Sequence, residues 1–363
     1  MSQDLKSLRD RLDVLDKQLV QIAAERQRIV SEIGKTKNKT GKGTRDFRRE
    51  REVMDNVRSE AAKQGIAPDL VESMMKTLIR YSLTRQEQEM VSAQGDGQGK
   101  TALVIGGAGR LGKWLADFIG SQGYSITIAD PAADTYGAIR DWHEVTLDHD
   151  LIIVAAPIKI SGDILEEIAR IKPPGLIIEV ASIKEPVRNG LLALKSHGCR
   201  YASIHPMFGP DTQLLSGKHI VMVDFSSEKE QQITTDLFSA TMAQLVSMGL
   251  DEHDKMIAYV LGLSHILNIS FFSSLSRSGI SASELKHISS TTFDHQVSVA
   301  SRVASDNPHL YFEIQRLNPY GKDMLLGFKD TIEKLVDAIE DNNEGDFSEL
   351  MLTGNTYLNK IRP

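Results

Sequence analysis

The chain has 363 residues, of which 41% are hydrophobic and 25% are charged, and its formal net charge is -7 at pH 7. This length leaves room for two or three domains with separate cores, and the acidic balance argues against a nucleic-acid-binding protein. Cys199 is the single cysteine, which excludes an intrachain disulfide and indicates a reducing compartment. The charged start does not resemble a signal peptide, and we find no run of about 18 apolar residues. We therefore expect a soluble, cytoplasmic protein with no membrane partner.

The first predicted element is a long amphipathic helix whose apolar seam contains a cation. Apolar residues recur at spacings of three and four over residues 5 to 33, and Arg26 occupies one of these positions. A buried guanidinium without a partner is costly, so an anion is expected to meet it. Because Arg9 and Lys37 flank the same seam, this side of the helix indicates a pocket for a small polyanion. The alternative is a coiled coil whose cations extend into solvent.

Two more predicted helices complete an N-terminal domain over residues 1 to 91. A polar loop at residues 40 to 44 precedes a helix that opens with RDFRRERE, and a third helix from about Pro68 ends with SLTRQ. Together with LRDRLDVLD, AER and GKTK in the first helix, this order resembles the intertwined, all-helical chorismate mutase family over about residues 1 to 90. The resemblance implies a homodimer in which each active site takes the residue matching Arg9 from the partner chain.

The implied reaction is the rearrangement of chorismate to prephenate. It is a concerted pericyclic shift, so the protein need only fold the dianion and stabilise charge on the breaking ether oxygen. By resemblance, Arg9 and Arg26 bind the two carboxylates, Lys37 and Gln86 donate to the ether oxygen, and Glu50 takes the ring hydroxyl. The resemblance thus assigns catalysis to Arg26, Lys37 and Gln86, and substrate binding to Arg9, Asp46, Arg49, Glu50 and Ser82.

A change in composition marks the end of this domain. Residues 92 to 100, SAQGDGQGK, predict a flexible linker. An apolar strand from Thr101 then leads into GGAGRLG and an amphipathic helix, and a second strand ends in Asp130. This is the context that the dinucleotide-binding fingerprint requires, although a tight glycine turn without a ligand remains an alternative. Residues 101 to 250 are therefore predicted to form an α/β Rossmann domain.

The fingerprint predicts NAD as the cofactor. Gly107 is expected to form the tight turn, Gly109 to let the backbone approach the pyrophosphate, and Gly112 to permit close helix packing. Asp130 is expected to accept hydrogen bonds from the ribose and to repel a 2′-phosphate. The expected cofactor contacts are Gly107, Gly109, Arg110, Leu111, Gly112, Asp130, Ala156 and Pro157.

Later strands of this domain end in polar residues. Ser182 and His205 each follow an apolar run, and ligands in such sheets bind beyond the carboxyl ends of the strands. His205 opens the motif HPMFGPD, which with residues 101 to 330 resembles prephenate dehydrogenase. The resemblance implies that His205 accepts the proton of the C4 hydroxyl of prephenate while hydride passes from C4 to NAD, and that Ser182 lies near that hydroxyl. Loss of CO2 then aromatises the ring.

Residues 251 to 363 are predicted to be helical and, by the same resemblance, to form the dimer. The resemblance assigns substrate binding to Arg302, Ser264 and His265. Two departures are Asn268, where many relatives have a second histidine, and residues 291 to 295, which lack an expected arginine. The histidines are scattered and no metal-binding signature occurs, so no metal is expected.

The whole sequence therefore predicts a multidomain protein with all-α, α/β Rossmann and all-α parts. It resembles the bifunctional chorismate mutase/prephenate dehydrogenases of tyrosine biosynthesis, which form 4-hydroxyphenylpyruvate. Two alternatives stay open: the same reactions on 4-amino-4-deoxy analogues, or a dehydrogenase whose N-terminal helices serve only as a dimerisation or effector module. Feedback inhibition by tyrosine is also considered.

Overall fold

A computed structural model describes residues 2 to 39, 45 to 133 and 139 to 361. The predicted polar loop at residues 40 to 44 lies outside the described residues. The N-terminal part consists of three helices: α1 (Ser2–Lys39), α2 (Phe47–Lys63) and α3 (Pro68–Gln94). The predicted all-α start is confirmed.

Helix α1 is long because its apolar positions recur with helical spacing, yet most of them find no cover within the chain. Leu8, Leu12, Leu15 and Ile22 are each more than half exposed. The other end of α1 packs against α3, and α2 joins α3 through an ion pair of 2.7 Å between Arg58 and Glu72. A contiguous exposed apolar face of this kind marks an interaction surface.

The central part is a seven-stranded sheet with helices on its two faces. Its strand order is β2-β1-β3-β4-β5-β6-β7, and the strands pair in parallel except for β5 with β6. The strands are β1 (Thr101–Ile105), β2 (Ser125–Ala129), β3 (Leu151–Val154), β4 (Leu176–Glu179), β5 (Arg200–Pro206), β6 (His219–Val223) and β7 (Gln244–Met248). The helices are α4 (Arg110–Ser121), α5 (Ile158–Ile171), α6 (Arg188–Ser196) and α7 (Glu228–Phe238). The predicted Rossmann-type domain is confirmed.

The inner strands of this sheet are apolar throughout because both faces are covered. Every residue of β3 and β4 is buried, and so are four of the five residues of β1. Parallel strands carry their carboxyl ends to one edge, so the segments after β1, β3, β4 and β5 meet there.

The C-terminal part is helical, as predicted. Its elements are α8 (Leu250–Ile257), a π-helical turn (Ala258–Leu263), α9 (Ser264–Arg277), α10 (Ala282–His287), α11 (Thr291–Ala304), α12 (Pro308–Leu317), α13 (Gly321–Glu340) and α14 (Glu344–Ile361). The stretch Leu250–Arg277 is, within the described part of the chain, the one helical segment whose length and composition would allow it to cross a membrane. Helices of protein cores meet the same criteria, and Ser264, His265 and Asn268 interrupt the segment, so it contains no uninterrupted run of about 18 apolar residues.

The segment predicted as a flexible linker is packed. Helix α3 continues to Gln94, and the Gly97 N–H donates to the Gln122 carbonyl at 3.0 Å. A side chain at Gly97 would meet the ring of Tyr124 at 2.1 Å, so glycine is required by the close approach. The exact domain boundaries stay a prediction.

The packing of the glycine loop against α4 gives a first testable prediction. A Cβ at Gly112 would lie 2.1 Å from the Gly106 carbonyl oxygen, and backbone cannot move aside as a flexible side chain can. We expect Gly112→Ala to lower the Tm by about 4 °C or more. Gly327→Ala is the control, because nothing lies within 4 Å of that position in α13 and alanine favours a helix. Equal Tm values for the two variants would contradict the packing described.

Candidate active sites

The first candidate site lies between α1 and α3, where Arg26 meets a hydroxyl. Nη1 of Arg26 donates to Ser82 Oγ at 2.7 Å and to the Leu78 carbonyl at 3.4 Å. Partial burial lowers the pKa of Arg26, and no carboxylate lies within ion-pair distance of it among the described residues. The guanidinium is thus held in place by a neutral group, and its charge is left for an anionic ligand.

Gln86 lies one turn beyond Ser82 on the same face of α3. It is buried, and its Nε2 donates to the Val30 carbonyl of α1 at 2.9 Å. Gly34 makes this contact possible, since a side chain there would lie 3.1 Å from Gln86 Cγ. An amide carries two N–H hydrogens, so Gln86 retains one for a ligand. Arg26, Ser82 and Gln86 therefore come together as the sequence predicted.

A second group of predicted residues lies at the start of α2. Asp46 caps this helix, accepting from the Arg49 N–H at 3.0 Å; this bond, helped by the positive charges of Lys37 and Arg48, lowers the Asp46 pKa. The Arg49 side chain contacts Glu52 at 3.4 Å.

Glu50, in the first turn of α2, is already held by a cation. Arg45 donates to its two carboxylate oxygens at 2.9 and 3.1 Å. Sequence reasoning missed Arg45, whose position just before the helix gave no signal of a contact to the residue five places on.

Arg9 lies apart from these groups. It is exposed on α1 and stands 17 residues before Arg26, which at 1.5 Å per residue is a separation of about 25 Å along the helix. The two guanidinium groups of one chain therefore cannot bind the same small dianion.

The glycine loop after β1 has the form that a dinucleotide requires. Gly106 has a φ of +83° and a Cβ there would meet the Ala155 carbonyl oxygen at 2.5 Å, so Gly106 forms the tight turn that the sequence had assigned to Gly107. A Cβ at Gly107 would contact Ile128 in β2 at 2.8 Å, and Gly109 is the N-cap of α4. A pyrophosphate can therefore approach the backbone closely along the whole loop. The N-terminus of α4 offers free N–H groups to its phosphates.

The other predicted cofactor contacts surround this loop. Asp130 follows β2 and accepts from the Ala108 N–H at 3.1 Å and the Ala132 N–H at 2.8 Å, which fixes its carboxylate beside the loop. Leu111 is partly buried in the first turn of α4, and Ala156 and Pro157 follow β3 after the single residue Ala155.

Arg110 is engaged from two sides. Its guanidinium donates to Asp211 at 2.7 Å and to Asp306 at 3.0 Å. These contacts join the glycine loop to the segment after β5 and to the helical domain.

His205 lies at the carboxyl end of β5 and is the first of three buried side chains that are joined by hydrogen bonds. Its Nδ1 lies 2.9 Å from His253 Nε2, and His253 Nδ1 lies 2.8 Å from Asp254 Oδ1. His253 and Asp254 belong to α8, so these hydrogen bonds connect the sheet domain to the helical domain. Asp254 is fixed by the backbone N–H groups of Lys184 and Glu185, each at 2.8 Å.

These contacts define which nitrogen of His205 can act as a base. A carboxylate only accepts, so His253 donates from Nδ1 and accepts at Nε2, and His205 must donate from Nδ1. Its Nε2 is then unprotonated and free to accept a proton. Burial, with the nearby positive charge of Lys184 and the second imidazole, holds the pKa of His205 well below its ordinary value, so the ring is neutral at pH 7.

A buried ion pair supports the strand ends beside His205. Lys184 and Glu179 are both fully buried, with 2.6 Å between Nζ and Oε1, and Lys184 also donates to the Ile204 carbonyl at 2.8 Å. Ser182 lies between these two residues in the loop after β4. The pair thus shapes the loop that carries the predicted serine.

The predicted substrate residues of the helical domain lie on two helices, with Ser264 and His265 on α9 and Arg302 on α11. His265 is buried against Tyr311, with ring centroids 4.1 Å apart, and burial lowers its pKa to about 4. The Ser264 hydroxyl donates back to the Val260 carbonyl at 3.0 Å. Arg302 is exposed on α11 and forms no ion pair within the described ranges. This argues against a purely structural role for its charge.

Asn268 links two helices at the position where a second histidine was expected. Its Nδ2 donates to the Ser264 carbonyl at 2.7 Å, and its Oδ1 accepts from Gln296 in α11 at 3.0 Å. In the described residues, no group of three or more His, Cys, Asp or Glu side chains could hold a metal ion.

Three family models match successive parts of the chain. They are chorismate mutase type II over residues 8–87, the nucleotide-binding domain of prephenate dehydrogenase over residues 126–246, and its dimerization domain over residues 250–353. The glycine loop precedes the second match.

Relatives match most of the chain, and a solved structure matches the fold of a large part of it. The T-protein of Haemophilus influenzae is 26% identical over 94% of this chain and 89% of its own length, and that of Enterobacter agglomerans is 25% identical over 86% and 82%. A crystal structure of prephenate dehydrogenase from A. aeolicus, 17% identical, covers 72% of this chain and 98% of its own with a TM-score of 0.58. With a mutase match followed by both dehydrogenase matches, the chain belongs to the bifunctional chorismate mutase/prephenate dehydrogenase family.

Proposed function

We propose that the protein converts chorismate to prephenate and then, with NAD, prephenate to 4-hydroxyphenylpyruvate in tyrosine biosynthesis. The observation that carries this proposal is the presence on one chain of an unneutralised Arg26 beside Ser82 and Gln86, and of an unprotonated His205 nitrogen at the end of β5. The product of the first site is the substrate of the second, so the two sites support each other.

In the mutase reaction the protein binds charge and supplies no nucleophile. Arg26 binds one carboxylate of chorismate, held by Ser82, while Lys37 and the second N–H of Gln86 donate to the ether oxygen as its bond breaks. Glu50 accepts from the ring hydroxyl with a lone pair that Arg45 leaves free. Asp46 and Arg49 shape the same end of the pocket.

In the dehydrogenase reaction His205 is the base. Its Nε2 accepts the proton of the C4 hydroxyl, and His253 with Asp254 stabilises the imidazolium that results. When bound, NAD would supply the acceptor for the C4 hydride, and the residues that would hold it are those of the glycine loop, Asp130 and the Ala156-Pro157 turn. Arg302, with His265 and Ser264 in the same helical domain, is assigned to the substrate side.

We propose that the active form is a homodimer. The exposed seam of α1 requires apolar cover, and Arg9 lies about 25 Å from Arg26 along the helix, so a partner helix running the other way can deliver Arg9 to the site that its own chain cannot reach. A second copy also accounts for the exposed side chains of Tyr259, Val260 and Leu267 in the apolar helical stretch. A cytoplasmic location and inhibition by tyrosine remain proposals from the sequence.

The hydroxy substrates are favoured over the 4-amino-4-deoxy analogues by the similarity to T-proteins over most of the chain. A role of the N-terminal helices in dimerisation alone does not explain why Arg26 stands at an apolar seam position of α1, or why the polar Gln86 is buried against that helix.

The direct test is an assay of the purified protein with chorismate. Chorismate should be consumed without NAD and give prephenate, and with NAD it should give NADH, CO2 and 4-hydroxyphenylpyruvate. A product that retains an amino group from the amino analogue, formed faster than from chorismate, would replace the proposed substrate.

The two activities should separate by mutation. We expect Arg26→Ala to lower mutase kcat/KM about 100-fold or more, because one charged donor to a reacting dianion contributes about 2.7 kcal/mol or more. Oxidation of supplied prephenate should persist. Arg28→Ala, a neighbouring exposed arginine on α1, serves as the control and should keep both activities. Loss of both activities in Arg26→Ala that still folds would contradict two separate sites.

The buried position of His205 predicts the pH dependence of the dehydrogenase. A base acts only when unprotonated, and its pKa is lowered, so kcat/KM for prephenate should stay level from pH 8 to below 6.5 and fall at lower pH. We expect His205→Asn to lose about 100-fold or more in kcat while still binding NAD. The exposed His197→Asn is the control. A near-normal kcat in His205→Asn would contradict the assignment of His205 as the base.

A further inference from the structure

One buried carboxylate of the mutase domain belongs to neither site. Glu87 follows Gln86 on α3 and is 4% exposed. Its Oε1 accepts from the Leu215 N–H at 2.7 Å and its Oε2 from the Met242 N–H at 2.8 Å. Both donors belong to loops of the dehydrogenase domain, one before β6 and one before β7. A single side chain of the first domain thus satisfies two backbone groups of the second.

A second contact reaches the next residue of the same loop. Arg45 Nη1 donates to Ser216 Oγ at 2.7 Å, while its other two donors hold Glu50. We call residues 207 to 218, between β5 and β6, the junction segment. Its residues 215 and 216 are therefore held by two different parts of the mutase domain, α3 and the residues just before α2.

The other end of the junction segment begins where the dehydrogenase site is. It follows His205 and Pro206 directly, and Asp211 within it pairs with Arg110 of the glycine loop at 2.7 Å. The Thr212 carbonyl accepts from Trp114 Nε1 at 2.9 Å. The segment thus spans from the base and the cofactor loop to the mutase domain.

The segment has room to shift. A cavity of about 460 Å³ lies between α3 and α4 and is lined by Glu87, Val91, Trp114, Phe118, residues 210 to 213 and Leu215. Leu215 packs into the hydrophobic core and Phe208 packs against Trp114, whereas residues 210 to 213 border the cavity, where the hydrogen bonds of Asp211 and Thr212 hold them.

We propose that Glu87 is a positioning residue of the dehydrogenase: it holds the junction segment in the place that prephenate binding requires. This inference rests on the proposed dehydrogenase function. A carboxylate is needed because it offers an acceptor to each of two N–H groups, whereas an amide offers one oxygen and turns an NH2 toward the second donor. Burial raises the pKa of Glu87, and the two backbone hydrogen bonds, one to each carboxyl oxygen, oppose that rise.

The test is steady-state kinetics of Glu87→Gln in the full chain. Since His205 stays on β5 and only the segment beyond it shifts, we expect KM for prephenate to rise about tenfold with kcat changed by less than about twofold. Mutase kcat/KM should also stay within about twofold, because Ser82 and Gln86 contact α1 through other atoms. The exposed Asp69→Asn on α3 is the matched control and should behave as wild type.

A second variant keeps the inference testable if Glu87→Gln unfolds. Ser216→Ala removes only the acceptor for Arg45, and we expect KM for prephenate to rise about threefold with kcat unchanged. An unchanged KM in both folded variants, or kcat falling together with the mutase rate, would overturn the positioning role. If wild type itself fails to oxidise prephenate, the proposed function fails instead, so the two failures are distinct.

Discussion

The dehydrogenase half is organised around the carboxylate of Asp254. It accepts hydrogen bonds from the backbone N–H groups of Lys184 and Glu185 after β4 and from the Nδ1–H of His253. Through His253 it fixes the ring of His205. One buried anion therefore sets the distance between the sheet and the helical domain and selects the protonated nitrogen of the base. Without it, both the geometry and the tautomer would be undetermined.

A second buried charge, that of Lys184, lies close to Asp254 and also needs a partner. Lys184 is fully buried, and burial lowers its pKa while Glu179 opposes the shift. A buried ion pair seldom adds stability in proportion to its Coulomb energy, since two charges must leave water. The further hydrogen bonds from Lys184 to the Ile204 carbonyl and from the Ala181 N–H to Glu179 satisfy the remaining groups. The pair is best understood as fixing the ends of β4 and β5.

The sequence predicted the elements whose signals are local. The period of α1, the strand and glycine loop after Thr101, and the helices after residue 250 all follow from patterns within about 30 residues. Strands β6 and β7 were not recognised, since a five-residue apolar run such as β6 cannot be told from part of a helix, and β7 is only partly buried at the sheet edge.

Contacts between distant residues were beyond sequence reasoning for a different reason. Glu87 meets residues 128 and 155 positions away, and Arg110 meets Asp306 at a distance of 196 positions. Nothing in the local pattern distinguishes these charges from solvated ones. Candidate site residues were found where a motif carried them, and Arg26 was found because a cation in an apolar seam is locally anomalous.

The length of α1 has a consequence for heredity. In the proposed dimer, Arg9 and Arg26 of one chain serve opposite active sites, because about 25 Å of helix separates them. A chain that has lost Arg9 and a chain that has lost Arg26 are each inactive alone, yet when paired they leave one site with both arginines intact. Two defective alleles in one cell would therefore complement each other. Each mutase site of the proposed dimer is built from two chains, and these can be the products of different gene copies.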